Sequence, residues 1–123
     1  MIKNQLLAQT LIDFVGLDFG NKSPTDIDAF LDFNNKLFIF MECKFGDAEV
    51  PLGQKIALER LCDATHNPPH RNSFILLIKH DKYQHIYIAK SEITKFRFNK
   101  TWYECDPINA KDFIDILVKK YGQ

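Results

Sequence analysis

Three residues have the types and spacing for phosphoryl chemistry: Asp28, Glu42 and Lys44. Glu42 and Lys44 lie two apart in the run LFIFMECK, so on a strand both point to one face. An acidic residue, any residue, then Lys occurs only here in the chain. Whether Asp28 joins them depends on the turn Asn34, Asn35 and Lys36. A three-residue loop pairs Phe33 with Leu37, sets Asp28 opposite Glu42 and sets Asp26 opposite Lys44. Such a loop needs a left-handed residue, which Asn tolerates. A two-residue loop sets Asp28 opposite Met41 and sends the carboxylates to different faces, and a bulge alters either register. In the first register the Cβ atoms of Asp28 and Glu42 are roughly 5 Å apart. Two carboxylates that close repel, and a divalent cation reverses the sign. Oxygen ligands suit Mg²⁺ or Mn²⁺. Lys44 would orient a water or balance charge on a phosphoryl oxygen. The plain alternative is a surface salt bridge of Lys44 with Glu42 or Asp26. The burial expected for LFIFM argues against it, because charge at the end of a buried strand is costly.

The elements that would position these residues follow from periodicity. Residues 3–15 read as an amphipathic helix stopped at Gly16, and 17–25 as a loop. Residues 26–33 alternate, with Asp26, Asp28, Phe30 and Asp32 on one face and Ile27, Ala29, Leu31 and Phe33 on the other. Residues 37–44 are apolar on both faces until Glu42, as in a central strand. After a connection, 51–65 read as a helix with Pro51 in its first turn and Leu52, Ile56, Leu58 and Leu61 on its apolar face. HNPPHRNS is a loop. FILLIK, residues 74–79, is a strand, with HDKYQ as a turn and HIYIA as its partner. Lys95 to Asn99 alternates like a strand, and Trp102 to Cys105 suits another. Residues 109 or 110 to 121 form a closing helix, with Asn109 as N-cap, Phe113, Ile114, Leu117 and Tyr121 inward, and Gly122 as the stop. The expected fold class is therefore α/β (α+β), one domain over 1–123, with a mixed central β-sheet flanked by helices.

Composition bounds the function. Sixteen basic residues balance sixteen acidic ones, so tight monomeric binding to long nucleic acid is disfavoured, while a homodimer could pool local basic patches. No apolar run reaches membrane-span length, which implies no membrane partner. The N-terminal twenty residues lack a signal-peptide pattern, so the cytoplasm is expected. Cys43, Cys62 and Cys105 are too few and too widely spaced for a disulfide framework or a cysteine zinc site.

At the carboxylate hairpin the chain resembles the PD-(D/E)XK nuclease superfamily, in its Holliday-junction-resolvase-like and virus-type replication-repair branches. The match is SPTDIDAF at 23–30 and FIFMECK at 38–44, with Asp28 and Glu42 fourteen positions apart. It covers about residues 1–90 and is strongest over 23–61. The resemblance implies a restriction-endonuclease-like core and a Mg²⁺- or Mn²⁺-dependent endonuclease acting on DNA, including branched or junction DNA. It implies metal ligation by Asp28, Glu42 and the backbone carbonyl of Cys43, with Lys44 as the catalytic lysine. Asp26 is the alternative first aspartate. Gln54, early in the helix after the Glu-x-Lys strand, matches a glutamine of those branches and would position water or phosphate. An exposed helix residue is its alternative reading. The chain departs from the family in two places. Pro24 lies four residues before Asp28, and no Glu precedes position 42, so Gln5, Gln9 or Asp13 would replace a first-helix glutamate.

Other candidates are weaker. His66 and His70 flank Pro68 and Pro69, which breaks the helix a zinc pair would need. His80 and His85 are expected at the surface, and Asp47 and Glu49 as a solvated acidic loop rather than a second metal site. Cys43 points away from its neighbours, as a small hydrophobe. Lys95, Arg97 and Lys100 interleave with Phe96, Phe98 and Trp102, which suits either a nucleic-acid edge or a strand with one core face. Against the nuclease stands a binding or inhibitory module that keeps the fold without turnover, such as a phage or mobile-element protein acting on a host system. A third possibility is a structural subunit with a coincidental triplet.

Overall fold

A computed structural model describes residues 13–81 and 85–123. Its frame is one five-stranded sheet in the order β1-β2-β3-β4-β5. The strands are β1 (Ala29–Phe33), β2 (Leu37–Phe45), β3 (Asn72–His80), β4 (Glu92–Phe98) and β5 (Thr101–Asn109). Only β2 and β3 run parallel; the other neighbours are antiparallel. That one parallel pair needs a crossover, which α1 (Leu52–Thr65) supplies. The second helix, α2 (Ala110–Tyr121), closes the chain. The fold is thus α+β with a mixed sheet and, among the described residues, two helices.

The two faces of the sheet are covered separately. Leu37, Ile39 and Met41 of β2 join Phe74, Leu76, Ile78 and Ile93 in a core closed by Ala110 and Leu117 of α2. Phe40 joins Ile75 and Leu77 in a second core, closed by Leu58 and Cys62 of α1. Burial on both faces explains why β2 and β3 are apolar runs rather than alternating ones. At the start of α2 the Asn109 side chain accepts the Lys111 N–H at 3.0 Å, capping an otherwise orphaned donor as expected.

Several boundaries differ from expectation. The helix expected over 3–15 lies outside the described residues except for 13–15, which are not helical. The strand expected from position 26 begins at Ala29, leaving Asp26 and Asp28 just before the ladder. HIYIA is not a strand; Ile88–Lys90 form a 3-10 turn, and β3 instead pairs with β4. Ile86 and Tyr87 are exposed there, and Ile88 alone of the three packs on the core, from the 3-10 turn rather than from a strand. On α1, Leu52 is 71% and Leu61 39% exposed, while Leu58 and Cys62 are buried. The inward stripe is narrower than expected and uses a thiol.

Candidate carboxylate site

The hairpin takes the three-residue loop. Phe33 pairs with Leu37, Leu31 with Ile39 and Ala29 with Met41, and both Asn34 and Asn35 have positive φ, at 54° and 63°. Asn35 is also held by its N–H donating to Asp32 Oδ1 at 2.7 Å. This register carries Asp28 to the level of Glu42. Phe30, stacked on Phe40 at 4.9 Å between ring centroids, fills the same face just before the carboxylates.

Glu42 is 6% exposed and closes the apolar run of β2. Its Oε1 accepts from Gln54 Nε2 at 2.7 Å. Among the described residues its buried Oε2 has no donor. The Asp28 carboxyl stands against it, and Asp28 Oδ2 accepts the Cys43 N–H at 2.7 Å. Burial first and Asp28 second, as a like charge and as an acceptor once Glu42 is protonated, push Glu42 up to about 7. Gln54 works in the opposite direction, and Asp26 adds a smaller rise. An orphaned carboxylate oxygen facing a second carboxylate is a costly arrangement for a structural pair, and one that a cation would relieve.

Gln54 does more than reach one side chain. Its Nε2 also lies 3.2 Å from the Asp26 carbonyl oxygen, so α1 ties together the segment before β1 and the end of β2. Asp26 thereby meets the site through its backbone. Lys44 follows Glu42 on the same face and, among the described residues, forms no ion pair. The expected alternative of a Lys44 salt bridge with Glu42 or Asp26 is absent there. The Cys43 side chain packs into the opposite core, and burial with the nearby Asp28 and Glu42 charges pushes its thiol up to about 11, so it is no nucleophile.

Among the described residues no three His, Cys, Asp or Glu side chains group as metal ligands. From the described residues, a third protein oxygen for a cation at Asp28 and Glu42 would come from the backbone. Beyond Ala29 the β1–β2 ladder ends, and the Cys43 N–H turns to Asp28. A residue's N–H and C=O share one edge of a strand, so the Cys43 carbonyl faces that edge too. These hard oxygens fit Mg²⁺ or Mn²⁺ in type.

The remaining candidates separate. His66 Nδ1 accepts the Ser73 N–H at 3.1 Å, a structural role. Asp47 pairs with Lys79 at 3.0 Å, and that hydrogen bond holds its carboxyl below the usual range. Of the alternating basic set, Arg97 is bound by Asp63 through Nε at 3.0 Å and a terminal nitrogen at 2.7 Å, and by Glu59 at 3.4 Å. Phe96 and Phe98 belong to the α2-side core, whereas Lys95 and Trp102 face the α1 side. Lys55 was not singled out from the sequence, although it adjoins Gln54 and stands 5.3 Å over the Trp102 ring.

The chain matches no protein-family model, no curated protein and no solved structure. What the fold and site define by themselves is an α+β protein in which a buried glutamate on an interior strand, Glu42, faces the exposed carboxylate of Asp28. No helix among the described residues is long and apolar enough to cross a membrane.

Proposed function

We propose that this chain is a metal-dependent deoxyribonuclease with a restriction-endonuclease-like core of the PD-(D/E)XK kind, hydrolysing DNA phosphodiester bonds. The observation that carries the reading is the buried Glu42 Oε2, without a donor among the described residues, set against Asp28. The order of motif hairpin, crossover helix and parallel strand supports it as well.

Asp28, Glu42 and the Cys43 carbonyl are the groups to hold Mg²⁺ or Mn²⁺. Such an ion, when held there, would supply Lewis-acid polarisation of a phosphoryl oxygen and would lower the pKa of water. Gln54 fixes Glu42 through Oε1 and so leaves Oε2 to face Asp28. Lys44, on the same face, orients the attacking water or balances charge on the phosphoryl oxygen. The pair of carboxylates must be ionised to bind a cation, so protonation of Glu42 competes with loading.

A second reading keeps the fold as a binding or inhibitory module without turnover; the zero net charge favours it. Calorimetry with Mn²⁺ on wild type and Glu42→Ala, together with cleavage of single-stranded, duplex and branched DNA, separates the two. Metal binding and cleavage both lost in Glu42→Ala supports the nuclease. Metal binding without cleavage of any substrate leaves the binding module, and equal cleavage by both proteins refutes an active site at Glu42.

A further inference from the structure

The face that carries Glu42 and Lys44 continues across the sheet into a cleft of about 540 Å³. Lys44, Lys55, Lys95 and Trp102 line it, along with Glu49 and Glu104. Strand register makes the cleft continuous with the carboxylates. Glu42 is level with Leu77, Leu77 with Lys95, and Lys95 with Glu104. Neighbouring strands lie about 4.8 Å apart, so the Lys95 backbone is roughly 10 Å across the sheet from that of Glu42.

The cations of this cleft are available in a way that Arg97 is not. Lys44 and Lys55 form no ion pair with the described residues. Lys95 meets Glu104 only at 3.7 Å, with side chains 47% and 80% exposed, a pairing of little strength. Trp102 is held differently. Its indole N–H donates to Glu59, which also meets Arg97, so the ring is fixed in place. A fixed indole beside weakly held ammonium groups is a stacking platform with phosphate contacts around it. The volume falls in the range of small-ligand pockets and takes one nucleotide rather than a base-paired duplex.

We propose that this cleft binds an unpaired nucleotide flanking the phosphodiester at Glu42 and Lys44, which makes single-stranded or locally unpaired DNA the preferred substrate. The proposal rests on the nuclease reading and names its substrate class. The base lies against Trp102, displacing the flexible Lys55 ammonium from above the ring, and Lys55 and Lys95 meet the adjoining phosphate.

Trp102 is the chain's only tryptophan, so its fluorescence reports occupancy directly. Wild type is titrated with a short oligothymidine and with a blunt duplex of equal length, in Ca²⁺ to slow turnover. The single strand is expected to quench Trp102 and to bind roughly tenfold more tightly than the duplex. Three lysines give a slope of log affinity against log salt of about −2, and Lys55→Ala or Lys95→Ala lessens it by about 0.7 each. Mn²⁺ affinity stays unchanged in both variants. A duplex that quenches and binds as well as the single strand overturns the proposal, as does an unchanged emission with both. Should that happen while Mn²⁺-dependent cleavage persists and disappears in Glu42→Ala, the nuclease stands without this cleft. Quenching by the single strand without metal binding or cleavage would instead retain the cleft and remove the nuclease.

Discussion

Replacing Glu42 by Gln is expected to stabilise the metal-free protein at neutral and alkaline pH. Glu42 is raised from 4.5 to about 7 by burial first and by Asp28 second. Each unit corresponds to about 1.4 kcal/mol, so the ionised Glu42 costs up to about 3 kcal/mol above pH 7. A Gln in its place keeps the shape. Its Oε1 can accept from Gln54, and its amide can donate to Asp28, filling the role that Oε2 leaves open. Burial of the amide takes back part of the gain, which leaves about 2 kcal/mol and a melting temperature higher by roughly 8 °C. The pH dependence has a definite sign. Between 4.5 and about 7 the folded chain holds a proton on Glu42 that the unfolded chain releases, so wild-type stability falls as pH rises through that window. The difference between variant and wild type should therefore open from near zero below pH 4.5 and level off above 7. Thermal melts in a chelating buffer across pH 4–8 read this, and Mn²⁺ should then stabilise wild type but not the variant. A variant no more stable than wild type at pH 8, or a difference that ignores pH, refutes the reasoning.

Lys44→Ala should leave Mn²⁺ affinity nearly intact while lowering the cleavage rate about 10²–10³-fold, as read by calorimetry and single-turnover kinetics on the same preparation. Asp28→Asn should weaken Mn²⁺ binding much more than Asp26→Asn, because Asp26 reaches the site through its carbonyl; the reverse order in metal titrations would exchange their roles. Arg97→Ala should cost about 2–3 kcal/mol in denaturant unfolding, since it strands Asp63 and leaves Glu59 with the Trp102 indole alone, whereas Lys95→Ala should stay within about 0.5 kcal/mol. A neutral chain of 123 residues offers little surface to hold two strands, so light scattering should give a dimer mass, and a monomer at high micromolar concentration would refute this.

The hairpin was legible because two local signals agreed. The alternation of Ala29–Phe33 fixed which side chains share a face, and consecutive asparagines suited the positive φ values of a three-residue loop. The cap at Asn109 was legible for the same reason, since a helix start is a local event. What failed was decided at long range. Alternation in HIYIA met no partner strand, because β4 took the place beside β3. The inward stripe of α1 depends on where β2 and β3 lie beneath it, so Cys62 rather than Leu61 went inside. The ion pairs of Arg97 were not legible because its partners, Glu59 and Asp63, lie on another element. Lys55 and Trp102 are likewise 47 positions apart, and only the folded sheet brings them together.

The two carboxylates stand on supports of unequal persistence. Glu42 belongs to β2, bonded on one side to β3 along its whole length, and is buried. Asp28 lies just before the start of an edge strand of five residues and, among the described residues, is anchored to β2 by one carboxylate–amide bond. Opening its segment exposes little apolar surface, so amide protons around Asp26 to Phe30 should exchange with solvent long before those of Ile39 to Glu42. A cation gripping both carboxylates would have to recruit the labile partner to the durable one. Part of its binding energy would then be spent on order, and the affinity of the site would be set by how firmly the end of β1 is already held.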